Sequence, residues 1–343
     1  MNILLTCCNG SFTGEVIHLL KEIYYIDEIF LADSSESKYK NLKTIKLPNG
    51  KEDSYVEKLL EVCKRNNIRF IIPRSDEEIV AISNNIKKFE ALNINTFCHS
   101  SDIVSLASDK GDFLSNLKSN GISVDFFIPS EWGDIKDYKD RFAYKKSNSI
   151  IVKPKRSSGS KGVWLIDFGI EGKFMNEIVK DRTFNSSYDS FYEFTENEEI
   201  DPSHYLVQPY YGSNIYDVDN LYARNQKKLF QVCRKRVYKN EFSPVNEGCV
   251  IKKNRIIFEL VENIFDTLNI DGFLDLDIAM DPNGEPHVID SSTRLSGSIS
   301  ASSKCGINFI KLILDYYVLG LIPEVFHINE AAVIPYEGFR KVH

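Results

Sequence analysis

The chain has 343 residues, a formal net charge of −7 and a sequence pI near 5.5. This acidic balance argues against a nucleic-acid or anionic-membrane surface, because both partners require a basic face. No apolar run approaches the ~18 residues of a membrane span, and residues 1–10 lack a basic flank and a cleavage site, so we expect a cytoplasmic protein.

The first hundred residues alternate short apolar runs with amphipathic stretches. Residues 2–7, 26–32 and 70–73 are predicted strands, and residues 55–66 are a predicted helix. Strands that alternate with helices indicate a parallel sheet. The loop after the first strand is N-G-S-F-T-G rather than G-x-G-x-x-G, so a dinucleotide site in this part of the chain has little support.

Two acidic residues, Asp76 and Glu77, follow the strand that ends at Pro73. Open parallel sheets bind ligands at the carboxyl ends of their strands, which makes both residues candidates for substrate contact. The same residues also suit the first turn of a capped helix. The two interpretations are compatible.

A basic segment with small residues marks the middle of the chain. Residues 150–153 are a predicted strand that ends at Lys153, and residues 156–162 form a predicted turn before a second strand. Small residues allow backbone N–H groups to approach a phosphate closely, and Lys153 and Lys161 supply positive charge. Taken alone, a Gly/Ser turn with lysines is also a common surface turn, so both interpretations stay open.

The most informative stretch, residues 273–297, is a predicted hairpin followed by a loop. The period of two places Asp275 and Asp277 on one face of the first strand. Pairing across a two-residue turn sets Asp275 opposite Asp290 and Asp277 opposite Val288. Opposed carboxylates at ~5 Å repel by roughly 3 kcal/mol at an effective dielectric constant near 20. We therefore expect a cation such as Mg²⁺ between them, with solvated aspartates on an edge hairpin as the alternative.

Charge is distributed unevenly around these two segments. Residues 256–293 contain no Lys or Arg, whereas residues 145–161 contain six basic residues and no acidic one. One segment suits a cation and the other an anion, which favours a metal-bound nucleotide as the ligand.

The order of these parts resembles the ATP-grasp superfamily, and in particular the carboxylate-amine ligases related to the large subunit of carbamoyl phosphate synthetase. The shared parts are Lys110 before a helix, I-V-K-P with its Gly/Ser loop, L-V-Q-P-Y-Y-G, the acidic hairpin and a final D-x-S-x-R. The resemblance implies an α/β protein in which an N-terminal Rossmann-like parallel-sheet domain precedes a two-lobed ATP-grasp α+β module. The implied domains are residues 1–100, a first lobe with the phosphate loop at 101–204, and a second lobe with the metal site at 205–343.

The resemblance also implies roles for individual residues. The nucleotide-binding positions are Lys110, Lys153, Ser157, Ser158, Gly159, Ser160, Lys161, Gly162, Gln208 and Tyr210, with Asp217 as a substitute for the family's ribose-binding acid. The metal positions are Asp277, Asp290 and Ser292; the catalytic ones are Arg294 and Lys153. Substrate contacts are expected from Asp76, Glu77, Arg236, Arg294, Ser296, Gly297 and Ser298. Ser292 replaces the family's Asn and Asp290 its Glu, which predicts a second metal that is loose or absent.

The implied activity is an ATP-dependent ligase that forms an amide bond from a small carboxylate and a small amine through an acyl phosphate. ATP and Mg²⁺, or Mn²⁺, are the implied cofactors. Whether the protein forms a homodimer is left open. A phosphotransferase on the same scaffold and a catalytically weakened ATP-binding protein are the alternatives. A nicotinamide oxidoreductase is the weakest, because the dinucleotide glycines are missing.

Overall fold

The computed structural model describes residues 1–39, 41–144, 146–157, 159–237 and 248–335. Three sheets organise this part of the chain. In these residues no helix is both long enough and apolar enough to cross a membrane.

The N-terminal sheet is parallel, as its alternating sequence pattern predicts. Its strands are β1 Asn2–Leu5, β2 Glu28–Asp33, β3 Lys43–Lys46, β4 Ile68–Ile72 and β5 Asn95–Thr96, in the order β3-β2-β1-β4-β5. The helices of this part are α1 Thr13–Lys21, α2 Tyr55–Arg65, α3 Asp76–Ser83 and α4 Ile86–Glu90. Ser75 caps α3 in a capping box with Glu78, so Asp76 and Glu77 do occupy the first turn of a capped helix.

The second sheet contains five strands and carries the predicted phosphate loop. Its strands are β6 Ser149–Pro154, β7 Val163–Asp167, β8 Met175–Val179, β9 Thr183–Ser187 and β10 Tyr205–Pro209, in the order β10-β6-β7-β9-β8. The helices of this stretch of the chain are α5 Ser101–Ser108, α6 Lys110–Ser119, α7 Tyr138–Arg141 and α8 Tyr188–Asn197. The residues between β6 and β7 therefore form a connection between antiparallel strands.

The third sheet is antiparallel and carries the acidic hairpin. Its strands are β11 Ile215–Ala223, β12 Lys228–Arg236, β13 Cys249–Ile251, β14 Gly272–Met280, β15 Pro286–Ser292 and β16 Ala331–Val333, in the order β15-β14-β11-β12-β13-β16. The remaining α-helices are α9 Arg255–Thr267, α10 Ile299–Ser302 and α11 Phe309–Leu314. Short segments of 3₁₀ or π-helix lie at Trp132–Asp137, Pro202–His204, Arg224–Gln226, Ser303–Cys305 and Asp315–Leu319.

The register predicted for the β14–β15 hairpin is wrong. Asp277 pairs with Asp290, and Asp275 pairs with Ser292. The prediction had placed Asp275 opposite Asp290 and Asp277 opposite Val288. The opposed pair of carboxylates therefore exists, but Asp277 is its member on β14.

Two added residues explain the difference. The N–H of Asp281 donates to the carbonyl of Glu285 at 2.9 Å, so the turn holds three residues, with Gly284 at a φ of +86°. Ile289 is an extra residue on β15 where the register shifts. Because two shifts of one residue restore the strand parity, the three aspartates still share one face.

Apolar packing joins the first sheet to the third. One core cluster contains Leu5 of β1, Phe273 of β14 and Phe309 of α11, all fully buried. The second sheet packs on a separate cluster that includes Trp164 and Phe191. A further cluster contains Leu206 of β10 and Leu274 of β14, so the second sheet also shares a core with the third sheet.

Candidate functional site

Two adjoining cavities lie between the three sheets. The polar chamber, about 450 Å³, is lined by Asp76 and Ser11 from the N-terminal part and by Asp275, Arg294 and Ser296 from the third sheet and the loop after it. The apolar slot, about 100 Å³, lies between the second and third sheets and is lined by Ile151, Val163, Pro209, Tyr211 and Ile215, among others. Six lining residues belong to both cavities: Lys110, Ser157, Ser160, Arg236, Asp277 and Asp290.

Two buried lysines point at the junction of the cavities. Lys153 on β6 is 7% exposed, and its ammonium donates to the carbonyl of Ile289 in the bulge of β15. Burial lowers the pKa of Lys153 to about 8, although the nearby Asp290 opposes this shift. Lys110, in the first turn of α6, donates to the carbonyl of Ser157 at 2.6 Å and lies 3.4 Å from Asp290. Both ammonium groups are thus positioned where an anion would cross from the slot to the chamber.

A row of charged residues crosses four strands of the third sheet. Asp217 on β11 pairs with Arg234 on β12 and with Asp277 on β14, and Asp277 pairs with Asp290 on β15. Arg236 lies over this row and donates to Asp217 at 3.0 Å and to Asp277 at 2.8 Å. The positive charge predicted near the opposed carboxylates is therefore supplied in part by the protein itself.

Asp277 is the strained member of this row. Burial raises the pKa of Asp277 to about 7, with Asp217 and Asp290 adding to the rise and Arg236 opposing it. The folded protein thus disfavours the charged form of the Asp277 carboxylate. A cation bound beside this carboxylate would stabilise that charged form.

The donor set fits Mg²⁺ bound together with a phosphate. No group of three His, Cys, Asp or Glu side chains in the described ranges is arranged to hold a metal. Mg²⁺ is commonly held by one or two carboxylates with waters and phosphate oxygens completing its shell, and Asp277 and Asp290 supply two carboxylates directly opposite each other. Ser292 lies across from Asp275, one step further along the hairpin.

Arg294 and Asp76 meet across the polar chamber. The guanidinium Nε of Arg294 donates to the Asp76 carboxylate at 2.8 Å. This contact joins the residues after β15 to the first turn of α3. Glu77, also a predicted substrate residue, is not among the chamber's lining residues, and its carboxylate lies 3.6 Å from Lys51.

The loop at residues 296–298 lines the polar chamber, but its serines have structural partners. Arg234 is buried and donates to the hydroxyls of Ser296 and Ser298 and to the Asp219 carboxylate. Asp219 accepts further hydrogen bonds from Ser296 and Ser302. Arg234 therefore holds this loop and lines neither cavity. Arg236, the other arginine of β12, lines both cavities.

The apolar slot holds the predicted hinge residues. Gln208 donates to the carbonyl of Val288 at 3.3 Å, and its own amide oxygen is buried without a partner in the described structure. Tyr210 also lines the slot, and its N–H donates to Ser149. Asp217, by contrast, lines the polar chamber beneath Arg236 rather than the slot.

The predicted phosphate loop contributes only some of its residues to the cavities. Ser157, Gly159 and Ser160 line the polar chamber, whereas Lys161 and Gly162 line neither cavity. Ser158 lies outside the described residues. Sequence reasoning missed Arg182, which lines the chamber from the β8–β9 turn, because that turn reaches the loop only through the pairing of β7 with β9.

Comparison with known families tests the predicted fold. Residues 201–334 match a family described as "ATP-grasp in the biosynthetic pathway with Ter operon", and residues 3–97 match the PylC-like N-terminal domain. Residues 201–334 belong to an ATP-grasp family. The fold class inferred from the order of sequence motifs is thereby confirmed.

Solved structures share the fold of this chain over most of its length. The L-amino acid ligase from Bacillus licheniformis is 16% identical with a TM-score of 0.62, covering 92% of this chain and 73% of that one. A biotin carboxylase from Campylobacter jejuni is 15% identical with a TM-score of 0.62, covering 91% and 70%. The N5-carboxyaminoimidazole synthetase from Staphylococcus aureus, complexed with ADP, is 14% identical with a TM-score of 0.60, covering 90% and 76%. At these identities the likeness shows the fold. No curated protein matches the sequence.

Proposed function

We propose that this ATP-grasp protein is an ATP-dependent ligase that joins a carboxylate to an amine through an acyl phosphate. The observation that carries the proposal is the junction of the two cavities, where Lys110, Lys153 and Arg236 face Asp277 and Asp290. Such an arrangement suits a nucleotide whose base lies in the apolar slot and whose phosphates point into the polar chamber.

The neighbouring structures support this choice of reaction class. One is named an L-amino acid ligase and another an N5-carboxyaminoimidazole synthetase complexed with ADP. We propose the corresponding domain limits, residues 1–100, 101–204 and 205–343, and propose that the substrates are small molecules.

In the nucleotide site, Lys153 and Lys110 bind phosphate oxygens, and the N–H groups of Ser157, Gly159 and Ser160 approach the same phosphates. The amide of Gln208 and the backbone at Tyr210 orient the base. Asp277 and Asp290 would hold Mg²⁺ or Mn²⁺, which supplies positive charge to the phosphate oxygens when bound.

The reaction has two steps. A carboxylate oxygen of the acid substrate attacks the γ-phosphorus, and the bond from that phosphorus to the bridging oxygen of ADP breaks. The amine nitrogen then attacks the acyl carbon, the carbon–oxygen bond to phosphate breaks, and the nitrogen releases a proton. Arg294 lies on the wall of the polar chamber and stabilises the oxyanion of the second step, while Asp76 holds its guanidinium in place.

Phosphate release in the presence of Mg·ATP and a panel of amino acids and small amines tests this function. We expect ADP and phosphate to form only with an acid and an amine together, with a product mass equal to their sum less one water. An acid labelled with ¹⁸O in its carboxylate should transfer one label to the released phosphate. A stable phosphorylated product without an amine would instead identify a phosphotransferase, and nucleotide binding with no turnover a catalytically weakened protein.

A further inference from the structure

One carboxylate on the wall of the polar chamber has no partner. Asp275 on β14 lines the chamber, and its Oδ1 is buried without a hydrogen bond in the described structure. No ion pair within the described residues reaches Asp275 either. An ionised carboxylate removed from water without a donor is costly, so this residue lacks a positively charged or donating group.

The other aspartates of the chamber wall all have such a group. Arg294 pairs with Asp76, Arg236 with both Asp217 and Asp277, and Lys110 with Asp290.

Asp219 offers an internal comparison, since it is directly opposite Asp275 in the β11–β14 ladder. It is fully buried and accepts hydrogen bonds from Arg234, Ser296 and Ser302. The two residues share one sheet face and one chemistry, but the protein satisfies only Asp219. Folding alone therefore gives no account of the Asp275 carboxylate.

The position of Asp275 separates it from the metal-binding pair. Its partner across the hairpin is Ser292, whereas Asp277 faces Asp290. It lies on the chamber side, with Asp76 and Arg294 on the same wall, and it does not line the apolar slot. Arg294 is paired with Asp76, which leaves Asp275 as the carboxylate of this wall without an ion pair among the described residues and suits a cationic ligand group.

We infer that Asp275 binds the ammonium group of the amine substrate. This inference rests on the proposed ligase function and adds the chemical class of the second substrate, a small primary amine that is protonated in solution. The Asp275 carboxylate accepts a hydrogen bond from that ammonium and holds the nitrogen in the chamber, apart from the base in the slot; one proton passes from the ammonium to solvent before the neutral amine attacks the acyl carbon. Asp275 is thus a specificity-determining residue for the amine, distinct from the metal ligands.

Direct binding of propylammonium chloride tests the inference without turnover. We expect the full chain with Mg·ADP to bind propylammonium at least tenfold more tightly than propan-1-ol, its neutral counterpart, as measured by chemical-shift titration. Tetramethylammonium, which carries the charge but no N–H donor, should bind more weakly than propylammonium. Equal binding of propylammonium and propan-1-ol would overturn the inference, whether or not ligase activity is found.

The variant Asp275→Asn adds a second measurement. We expect the variant to bind propylammonium roughly tenfold more weakly and Mg·ADP within about twofold of the wild type. Its melting temperature in EDTA should be no lower than that of the wild type, since a like charge opposite Asp219 is removed. Asp219→Asn is the matched control and should melt lower because Arg234 loses a buried partner. Loss of Mg·ADP affinity in Asp275→Asn would instead make it a metal ligand, and a lower melting temperature with unchanged propylammonium binding would make its role structural; either result overturns the inference.

Discussion

At the scale of one residue, Lys153 shows how a side chain proposed to bind the nucleotide lowers the stability of the folded protein. Its ammonium is buried against the carbonyl of Ile289, and burial lowers its pKa from 10.5 to about 8. Near neutral pH the folded protein therefore holds a charge that would be better hydrated in the unfolded chain. A shift of this size corresponds to roughly 3 kcal/mol in favour of the neutral form.

Replacing this lysine should separate binding from stability. We expect Lys153→Met to raise the melting temperature of the ligand-free protein at pH 7 and to weaken ATP binding at least tenfold, because contacts to phosphate are charge-assisted. A folded pKa below the unfolded one means that the penalty is present below about pH 8 and disappears as the pH approaches 10.5. The stability difference between variant and wild type should shrink over that range. Calorimetry at several pH values measures both effects.

Lys87→Met is the control, since Lys87 is exposed on α4. It should change neither the melting temperature nor ATP affinity appreciably. If Lys153→Met bound ATP as tightly as the wild type, Lys153 would not be part of the nucleotide site.

At the scale of elements, the β14–β15 hairpin brings like charges together on adjacent strands. Asp277 and Asp290 are directly opposite, and the pKa of Asp277 is raised to about 7 by burial, with Asp217 and Asp290 adding to it. A carboxyl pKa raised by folding contributes stability at low pH that is lost as the pH rises from about 4 to about 7. The hairpin is therefore under increasing strain as the pH rises toward neutrality without a metal.

Removing one charge should relieve this strain. We expect Asp290→Asn to raise the melting temperature in EDTA at pH 7 and to flatten its decline between pH 4 and pH 7, since only one of the two carboxylates opposite Asp277, that of Asp217, remains. Lys110 keeps its hydrogen bond to Ser157, which limits the loss of the Lys110–Asp290 ion pair. With Mg·ATP, the wild type should gain stability and the variant little.

Glu285→Gln removes an exposed charge from the turn of the same hairpin and should behave as the wild type. A variant Asp290→Asn that responded normally to Mg·ATP would place the metal elsewhere and remove the main physical support for the metal site.

A second element-scale feature is the attachment of the phosphate loop to the β8–β9 turn. Gly162 and Val163 donate their N–H groups to the carbonyl of Arg182, the Arg182 guanidinium donates to Gly159, and Thr183 donates to Ser160. These four hydrogen bonds hold the guanidinium of Arg182 at the chamber wall.

We expect Arg182→Ala to weaken ATP binding by roughly five- to tenfold, because one donor facing the chamber is lost. Lys180→Ala removes the same charge from the same turn, but Lys180 does not line the chamber and should have a small effect. Isothermal titration of both variants measures the contrast. Equal losses in the two would indicate a general charge effect rather than a contact from Arg182.

At the scale of the whole molecule, the first and third sheets share one apolar core, and the second sheet has a core of its own apart from Leu206 of β10, which packs with the third sheet. Phe309 packs in the shared cluster with residues of β1 and β14, whereas Phe191 packs with Trp132 and Trp164 in the other. The site lies between these bodies, so its geometry depends on both.

We expect Phe309→Ala to cost about 3 to 5 kcal/mol of stability and to speed hydrogen exchange in β1 and β14 together. Phe191→Ala, a matched change in the other core, should act on the strands of the second sheet first. Hydrogen exchange followed by mass spectrometry resolves the two responses. Exchange in β14 that rose without any change in β1 would show that the first and third sheets unfold independently.

The order of the motifs showed a resemblance to a known family. Local patterns in the sequence were enough to predict the parallel N-terminal sheet and the strand that carries Asp275 and Asp277. These features follow from side-chain periodicity and from turn chemistry, which act over a few residues. The shared face of the aspartates was predicted correctly even though the register was wrong, because two added residues preserve parity.

Only the tertiary structure decided which charges meet. The bulge at Ile289 places Asp277 opposite Asp290. Packing of the first sheet on the third places Asp76 next to Arg294. Arg234 is buried and binds the serine loop, whereas Arg236 lines the cavities. Each contact joins residues distant in the chain, and no local period encodes which strands become neighbours or where an extra residue is inserted. The unpartnered carboxylate of Asp275 is visible for the same reason, since a missing partner can be recognised only when all the neighbours are in place.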